Sequence, residues 1–196
     1  MKPVTVYAFW EGFSRGFWWF LGELLPDVEW VVYSDVDTLW QRDVLELADL
    51  RDETKTIQWV RDLPSTVAEF AVWCRDKEVP LAGFSPERYS CSGICIINLK
   101  RWRETDVLGR CMAFVRRHGC PKYADQDILN AVLSEEAGLL PGCWDVLIPS
   151  PENTPKGVLH LTGVGRCFAK PYRGKIVQYR YWEFVARGTE FTRPVS

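Results

Sequence analysis

An apolar, strand-forming run, Trp30-Val31-Val32-Tyr33, stops abruptly at Ser34-Asp35-Val36-Asp37. Alternate residues of a strand face the same way, so this spacing predicts Asp35 and Asp37 side by side, with Val36 turned into the core. Two carboxylates that close repel one another unless a cation lies between them. The pattern therefore asks for a hard divalent ion bound through oxygen, Mn²⁺ or Mg²⁺. A solvated turn behind an edge strand is the plainer reading of the same residues, because Asp-x-Asp is common.

The 196 residues are 47% hydrophobic and 14% aromatic, with a formal net charge of -2. That balance suits one soluble globular domain, residues 1–196, with a substantial core. No apolar run is long enough to span a bilayer, and Phe13 to Leu21 is too short and too interrupted for a signal peptide. The seven cysteines are an odd number without a leader segment, so free thiols in a reducing cytoplasm are expected. Cys111, His118 and Cys120 lack the Cys-x-x-Cys pair that would complete a zinc site.

Strands are expected over 3–9, from Trp30 to the two carboxylates, over Ile57 to Val60, over Cys91 to Leu99 and over Val158 to Leu161. The nearly continuous apolar run Cys91 to Leu99 reads as a strand buried on both faces. Helices are expected from Ser14 to Leu25, Asp43 to Ala48, Thr105 to His118, Asp125 to Ala137 and Ile176 to Arg187. Pro26, Gly119, Gly138 and Gly188 supply stops. Residues 61–89, rich in proline and charge, read as a loop with one helical turn near Val67 to Trp73. The alternation predicts an α/β fold with a mixed sheet.

Three further places could carry chemistry. Asp125-Gln126-Asp127 opens a helix, where acid and amide groups could face a polyol or simply cap the helix. His160 ends an apolar strand, where a lone histidine is usually a satisfied core residue. Gly163 and Gly165 beside Arg166 and Lys170 could hold phosphate through exposed N–H groups.

Taken in order, these segments resemble the family 8 glycosyltransferases: Tyr33 to Asp37, then Cys91-Ser92-Gly93 leading into Ile96 to Trp102, then Asp125 to Asn130, then His160 to Gly163 with Lys170-Pro171-Tyr172. Trp144-Asp145 falls where that family tends to carry Trp-Asn. The resemblance implies a GT-A-like mixed sheet flanked by helices and transfer of a sugar from a nucleotide-sugar donor with retention. It implies Mn²⁺ (or Mg²⁺) on Asp35, Asp37 and His160. It implies Asp125 and Gln126 at the donor sugar, with Gln126 facing the acceptor, and sugar contacts from Cys91, Ser92 and Gly93. It implies diphosphate contacts from Gly163 and from Arg166 or Lys170.

The departures are specific. Cys91 stands where the family places Asn, removing an amide that could bond the sugar. Trp18 stands where an arginine is often found, with Arg15 one turn earlier. The spacing from His160 to Lys170-Pro171 is longer than usual, leaving Arg166 where the family's lysine falls. The family begins with a base-binding half that this sequence does not contain, so the expectation is a chain N-terminally truncated relative to it.

The expected partners are a nucleotide sugar and a saccharide or glycolipid acceptor, with no nucleic acid. The basic aromatic C-terminal segment 166–196 carries seven cations (Arg166, Lys170, Arg173, Lys175, Arg180, Arg187, Arg193) against two acids, Glu183 and Glu190. Its aromatics suit an anionic membrane surface, or equally the core face of a last helix. The expected location is cytoplasmic, peripheral at a membrane if that surface is used. Two alternatives accompany this reading: a non-catalytic sugar-binding remnant, and a haloacid-dehalogenase-type phosphatase with Asp35 as nucleophile and Asp37 as acid.

Overall fold

Strand β5, Ser90–Asn98, is buried along its whole length and forms the middle of the sheet. The computed structural model describes residues 5–9, 17–35, 37–80, 84–147 and 157–160. Within them, β1 (Thr5–Phe9), β2 (Trp30–Asp35), β5, β4 (Ile57–Arg61) and β6 (Ala137–Leu139) lie in the order β1-β2-β5-β4-β6. The outer pairs β1/β2 and β4/β6 are parallel, and β5 runs antiparallel to both its neighbours. A two-stranded antiparallel sheet adds β3 (Thr38–Leu39) to β7 (Leu159–His160), placing Thr38 opposite His160.

The strand period sorts the core. Val31 and Tyr33 of β2, with Cys95 and Ile97 of β5, face α4 (Leu99–Glu104), α5 (Val107–His118) and α6 (Asp125–Leu133) through Leu99, Trp102, Cys111, Ile128 and Leu129. The alternate residues Trp30, Val32, Ile94 and Ile96 pack on the other face against Leu47, Trp144 and Val158. Each fully buried large apolar side chain contributes roughly 1.5–3 kcal/mol of transfer free energy. A β-strand polar on one face could not serve here, which is why β5 carries no alternation.

Several sequence expectations change at element ends. The stretch read as a loop contains a 13-residue helix, α3 (Pro64–Asp76), with Pro64 in its first turn. Its Phe70 and Cys74 bury against Val79 and Tyr89, and Phe70, stacked on Trp73 and met edge-on by Phe84, completes a small aromatic core. Proline near its start had signalled a break, yet this is the position where a helix tolerates it. The helix expected over Asp125 to Ala137 stops at Leu133, because Ala137–Leu139 pairs with β4 as an edge strand. The helix expected to Leu25 is a 3₁₀ turn, Phe17–Phe20, running into a single turn α1, Leu21–Leu24. The expected start at Thr105 shifts to Val107, where the Asp106 side chain accepts from the Gly109 N–H. The short helix expected over Asp43 to Ala48 is α2, Val44–Ala48, and Asp43 stands just outside it as its cap, its side chain accepting from the Leu45 N–H. The helix expected over Ile176 to Arg187, and the whole of 166–196, lie outside the described residues.

Candidate active site

β2 ends at Asp35, and Asp37 lies in the turn that follows, so the two acids do not share one continuous strand as the spacing predicted. A hydrogen-bonded knot shapes that turn. The Thr38 hydroxyl donates to the Asp35 carbonyl at 2.8 Å, and the Trp40 indole N–H donates to Ser34 Oγ at 3.0 Å. Tyr33, two residues before Asp35 on the same face, donates its hydroxyl to Asp35 Oδ1 at 2.6 Å. The pairing of β3 with β7 then carries His160 to the carboxylates. His160 Nε2 stands 3.3 Å from Asp37 Oδ1 and 3.7 Å from Asp35 Oδ2.

The other ring nitrogen has its own partner. His160 Nδ1 lies 3.0 Å from Asp145 Oδ1 and 3.6 Å from Cys91 Sγ. The segment carrying Asp145 is fastened to β7 by backbone bonds from Val146 N to the Val158 carbonyl and from His160 N to the Val146 carbonyl. The imidazole presses its Cε1 end against β5 at Gly93, where an added Cβ would come within 2.0 Å of ring Cε1. Between β4 and β5 the register breaks, with Trp59 opposite Cys95 but Val60 opposite Cys91. This irregularity falls at Ser92-Gly93-Ile94, and bulges of that kind re-aim a strand beside a site.

Gln126 occupies the same neighbourhood from α6. Its Oε1 accepts from the Ser92 N–H at 3.1 Å, and its Nε2 donates to Asp62 Oδ2 at 2.6 Å and to the Tyr89 hydroxyl oxygen at 3.0 Å. Both amide protons are thereby committed within the protein. Tyr89 donates in turn to Asp127 Oδ1 at 2.5 Å, and Asn130 clamps the Ser90 backbone through Ser90 N to Oδ1 and Nδ2 to the Ser90 carbonyl, both 2.8 Å. Ala124, just before this helix, has φ 41°, a left-handed conformation that costs a non-glycine residue on the order of 1–3 kcal/mol. Asp125 is half-buried and close enough to act electrostatically on Asp35 and Tyr33.

The site is acid-rich around a single imidazole. Burial pushes the Asp35 carboxyl up to about 7, with Asp37 and Asp125 adding to the rise while His160 and Tyr33 oppose it. Burial works against a charged His160, but Cys91, Asp145 and Asp37 outweigh it and hold the ring well above its ordinary range. The Cys91 thiol is itself pushed up by burial, so it is neutral near pH 7 and the carboxylates carry that effect. Neither oxygen of Asp37, whose side chain is 1% exposed, has a hydrogen-bond partner among the described residues. A buried carboxylate met, among the described residues, by one imidazole at 3.3 Å and by a second carboxylate is costly. The ligand atoms of Asp35, Asp37 and His160 all lie within 4.8 Å of one another. Two carboxylates and an imidazole in that arrangement fit a divalent cation such as Mn²⁺.

Of the residues singled out from sequence, the structure brings Asp35, Asp37, His160, Cys91, Ser92, Gly93, Asp125 and Gln126 to one end of β2 and β5. Gly93 underlies the imidazole, and Cys91 points its sulfur at Nδ1. Gly163, Arg166 and Lys170 lie outside the described residues, as does Arg15. Sequence reasoning passed over Asp62 and Tyr89 and gave Asp145 no role in the site. Tyr33 could have been found from the period of β2; nothing local marks Asp62.

Comparison with known proteins agrees with this geometry. A Haemophilus influenzae protein is 30% identical over 113 residues, 57% of this chain and 32% of its own length. General stress protein A of Bacillus subtilis is 28% identical over 119 residues, 58% of this chain and 38% of its own. The chain thus spans about a third of the curated relatives it matches. The galactosyltransferase LgtC, solved with donor and acceptor sugar analogues, superposes with a TM-score of 0.63 at 21% identity, covering 89% of this chain and 66% of LgtC. The GT-A-like mixed sheet flanked by helices is thereby the fold of this protein. The model of the family described as "Glycosyl transferase family 8" matches residues 17–160, well over half of the sequence, which leaves no place for the phosphatase alternative: the chain belongs to glycosyl transferase family 8.

Proposed function

We propose that this protein works in the transfer of a sugar from a nucleotide-sugar donor to a saccharide or glycolipid acceptor, with retention at the anomeric carbon and with Mn²⁺ or Mg²⁺ at Asp35, Asp37 and His160. The observation that carries this reading is the buried Asp37 carboxylate, faced by the His160 imidazole at 3.3 Å and by no hydrogen-bond donor among the described residues, meeting His160 and Asp35 in a member of this family. A cation held there supplies positive charge against the diphosphate as the bond to the sugar breaks. Asp35 and Asp37 provide oxygen ligands, and Tyr33 fixes the Asp35 carboxylate by its hydroxyl. His160 presents Nε2 from the rigid face above Gly93. Asp125 stands where it can bond donor hydroxyls, and the Gln126 amide, immobilised by Ser92, Asp62 and Tyr89, forms a fixed wall. Cys91 and Ser92 join it from the irregular start of β5.

Gly163, Arg166 and Lys170 complete the proposal as diphosphate contacts. The basic aromatic segment 166–196 is proposed to rest on an anionic membrane surface, giving a cytoplasmic, peripheral location. Among the described residues no helix is long and apolar enough to cross a membrane. A second reading is a sugar-binding form of the fold without catalysis.

Release of sugar from a panel of nucleotide sugars, with Mn²⁺ present and without it, separates the two. The transferase reading expects Mn²⁺-dependent hydrolysis or transfer that falls at least a hundredfold in Asp37→Ala. Saturable sugar binding with no turnover on any donor would establish the second reading.

A further inference from the structure

An imidazole can give its Nε2 lone pair to a cation only if its remaining proton sits on Nδ1, and something must hold that proton in place. In this protein the acceptor facing Nδ1 is Asp145 Oδ1 at 3.0 Å; Cys91 Sγ, at 3.6 Å, is a weak acceptor. The Asp145 side chain is 0% exposed, and its second oxygen, Oδ2, has no hydrogen-bond partner among the described residues. A carboxylate in that condition is a poor choice for packing alone, where an uncharged residue would avoid the desolvation. Among the described residues its charge acts through the ring of His160, toward the Asp35–Asp37 side.

The backbone holds the two residues together. Val146 N bonds to the Val158 carbonyl and His160 N to the Val146 carbonyl, so Asp145 and His160 are fixed across the same short ladder. Gly93 closes the space beneath the ring. The imidazole is held between Asp145 on one nitrogen and the Asp37 and Asp35 carboxylates on the other, at 3.0, 3.3 and 3.7 Å.

We propose that Asp145 is a positioning residue for the cation site: it holds the His160 proton on Nδ1, aims Nε2 at Asp35 and Asp37, and makes the imidazole a stronger ligand through its buried negative charge. The inference rests on the proposed metal site, and it assigns to Asp145 a part that neither the sequence motifs nor family membership carries. Removing such an outer partner of a ligating histidine typically weakens metal binding 10–100-fold.

The test is Mn²⁺ affinity of the full 196-residue chain, read by the electron-spin signal of free Mn²⁺, beside the melting temperature without metal. Asp145→Asn keeps the shape and an oxygen that can accept from Nδ1–H, and removes the charge. The expected result is Mn²⁺ binding about tenfold weaker in Asp145→Asn and up to about a hundredfold weaker in Asp145→Ala. Without metal, Asp145→Asn breaks the buried His160–Asp145 ion pair, so that protein should melt below the wild-type temperature, and affinities are read well below both transitions, where both chains are folded. A packing role would lower the melting temperature and leave the affinity of the folded chain unchanged. Asp145→Asn with wild-type Mn²⁺ affinity overturns the assignment, and so does a loss of affinity confined to temperatures at which the metal-free variant is already unfolding. Wild-type chain that takes up no Mn²⁺ overturns the metal site itself and the inference with it, an outcome visible before any variant is made.

Discussion

Replacing Gly93 by alanine puts one methyl group where the His160 ring lies. The added Cβ would fall 2.0 Å from Cε1, 2.6 Å from Nδ1 and 2.9 Å from Nε2. Ordinary carbon contacts are about 3.5–4.0 Å, so the ring must retreat by about 1.5 Å. It has little room, since Asp145 and Asp37 stand 3.0 and 3.3 Å from its two nitrogens. A displacement of that size stretches the Nδ1 bond past hydrogen-bonding range and draws Nε2 from the carboxylates. Overpacking of this kind costs roughly 1–3 kcal/mol, and a chain of this size loses about 2–4 °C of melting temperature per kcal/mol, so a fall of roughly 2–12 °C is expected. The metal readout is sharper. With Mn²⁺ at about 100 times the wild-type Kd, the wild-type chain gains about 2.7 kcal/mol; if Gly93→Ala weakens binding about a hundredfold, the gain drops to about 0.4 kcal/mol. Thermal melts with and without Mn²⁺ measure both effects. Gly142→Ala is the control, because its Cβ would meet nothing within 4 Å. A Gly93→Ala protein with the wild-type melting temperature and the full Mn²⁺ shift would refute the seating of His160 on β5.

Asn130→Ala removes the clamp on the Ser90 backbone and leaves a buried N–H and a buried carbonyl unpaired. At about 1–3 kcal/mol for each, urea denaturation should show a loss of roughly 2–6 kcal/mol, whereas a loss below about 1 kcal/mol would mean that water or rearrangement replaces the bonds. Lys170→Ala should weaken nucleoside diphosphate binding, measured by calorimetry, more than Arg166→Ala, because the Lys170-Pro171-Tyr172 order of the family is kept; the reverse ranking would give the diphosphate to Arg166. Co-sedimentation should show the chain on anionic vesicles at low salt and released at high salt, each cation near the surface contributing about 1 kcal/mol. Equal weak binding to neutral and anionic vesicles would point to a soluble acceptor.

The sequence by itself carried the elements that local chemistry dictates. The nearly continuous apolar run Cys91 to Leu99 reads as a strand buried on both faces, and Gly119 ends the helix before it as its missing Cβ allows. The order of the Asp35, Cys91, Asp125 and His160 segments was enough for the family resemblance, which the match over residues 17–160 establishes. Proline at the start of α3 misled, because its lack of an N–H is neutral in a first turn and disruptive later. Ala137–Leu139 misled as well, since helix propensity yielded to a neighbour's unpaired edge at β4. What the tertiary structure alone decided is the company each site residue keeps. Asp35 and Asp37 meet His160 through a ladder between residues more than a hundred positions apart, and Asp62 reaches Gln126 across the sheet. Gly93 has an ordinary place in a strand until a ring lies over it, and Asp145 is an ordinary loop acid until β7 carries His160 Nδ1 to 3.0 Å from it. Spacing along a chain encodes which face a side chain takes; which partner it meets there depends on strand pairing over long loops, and no local pattern of residues records that.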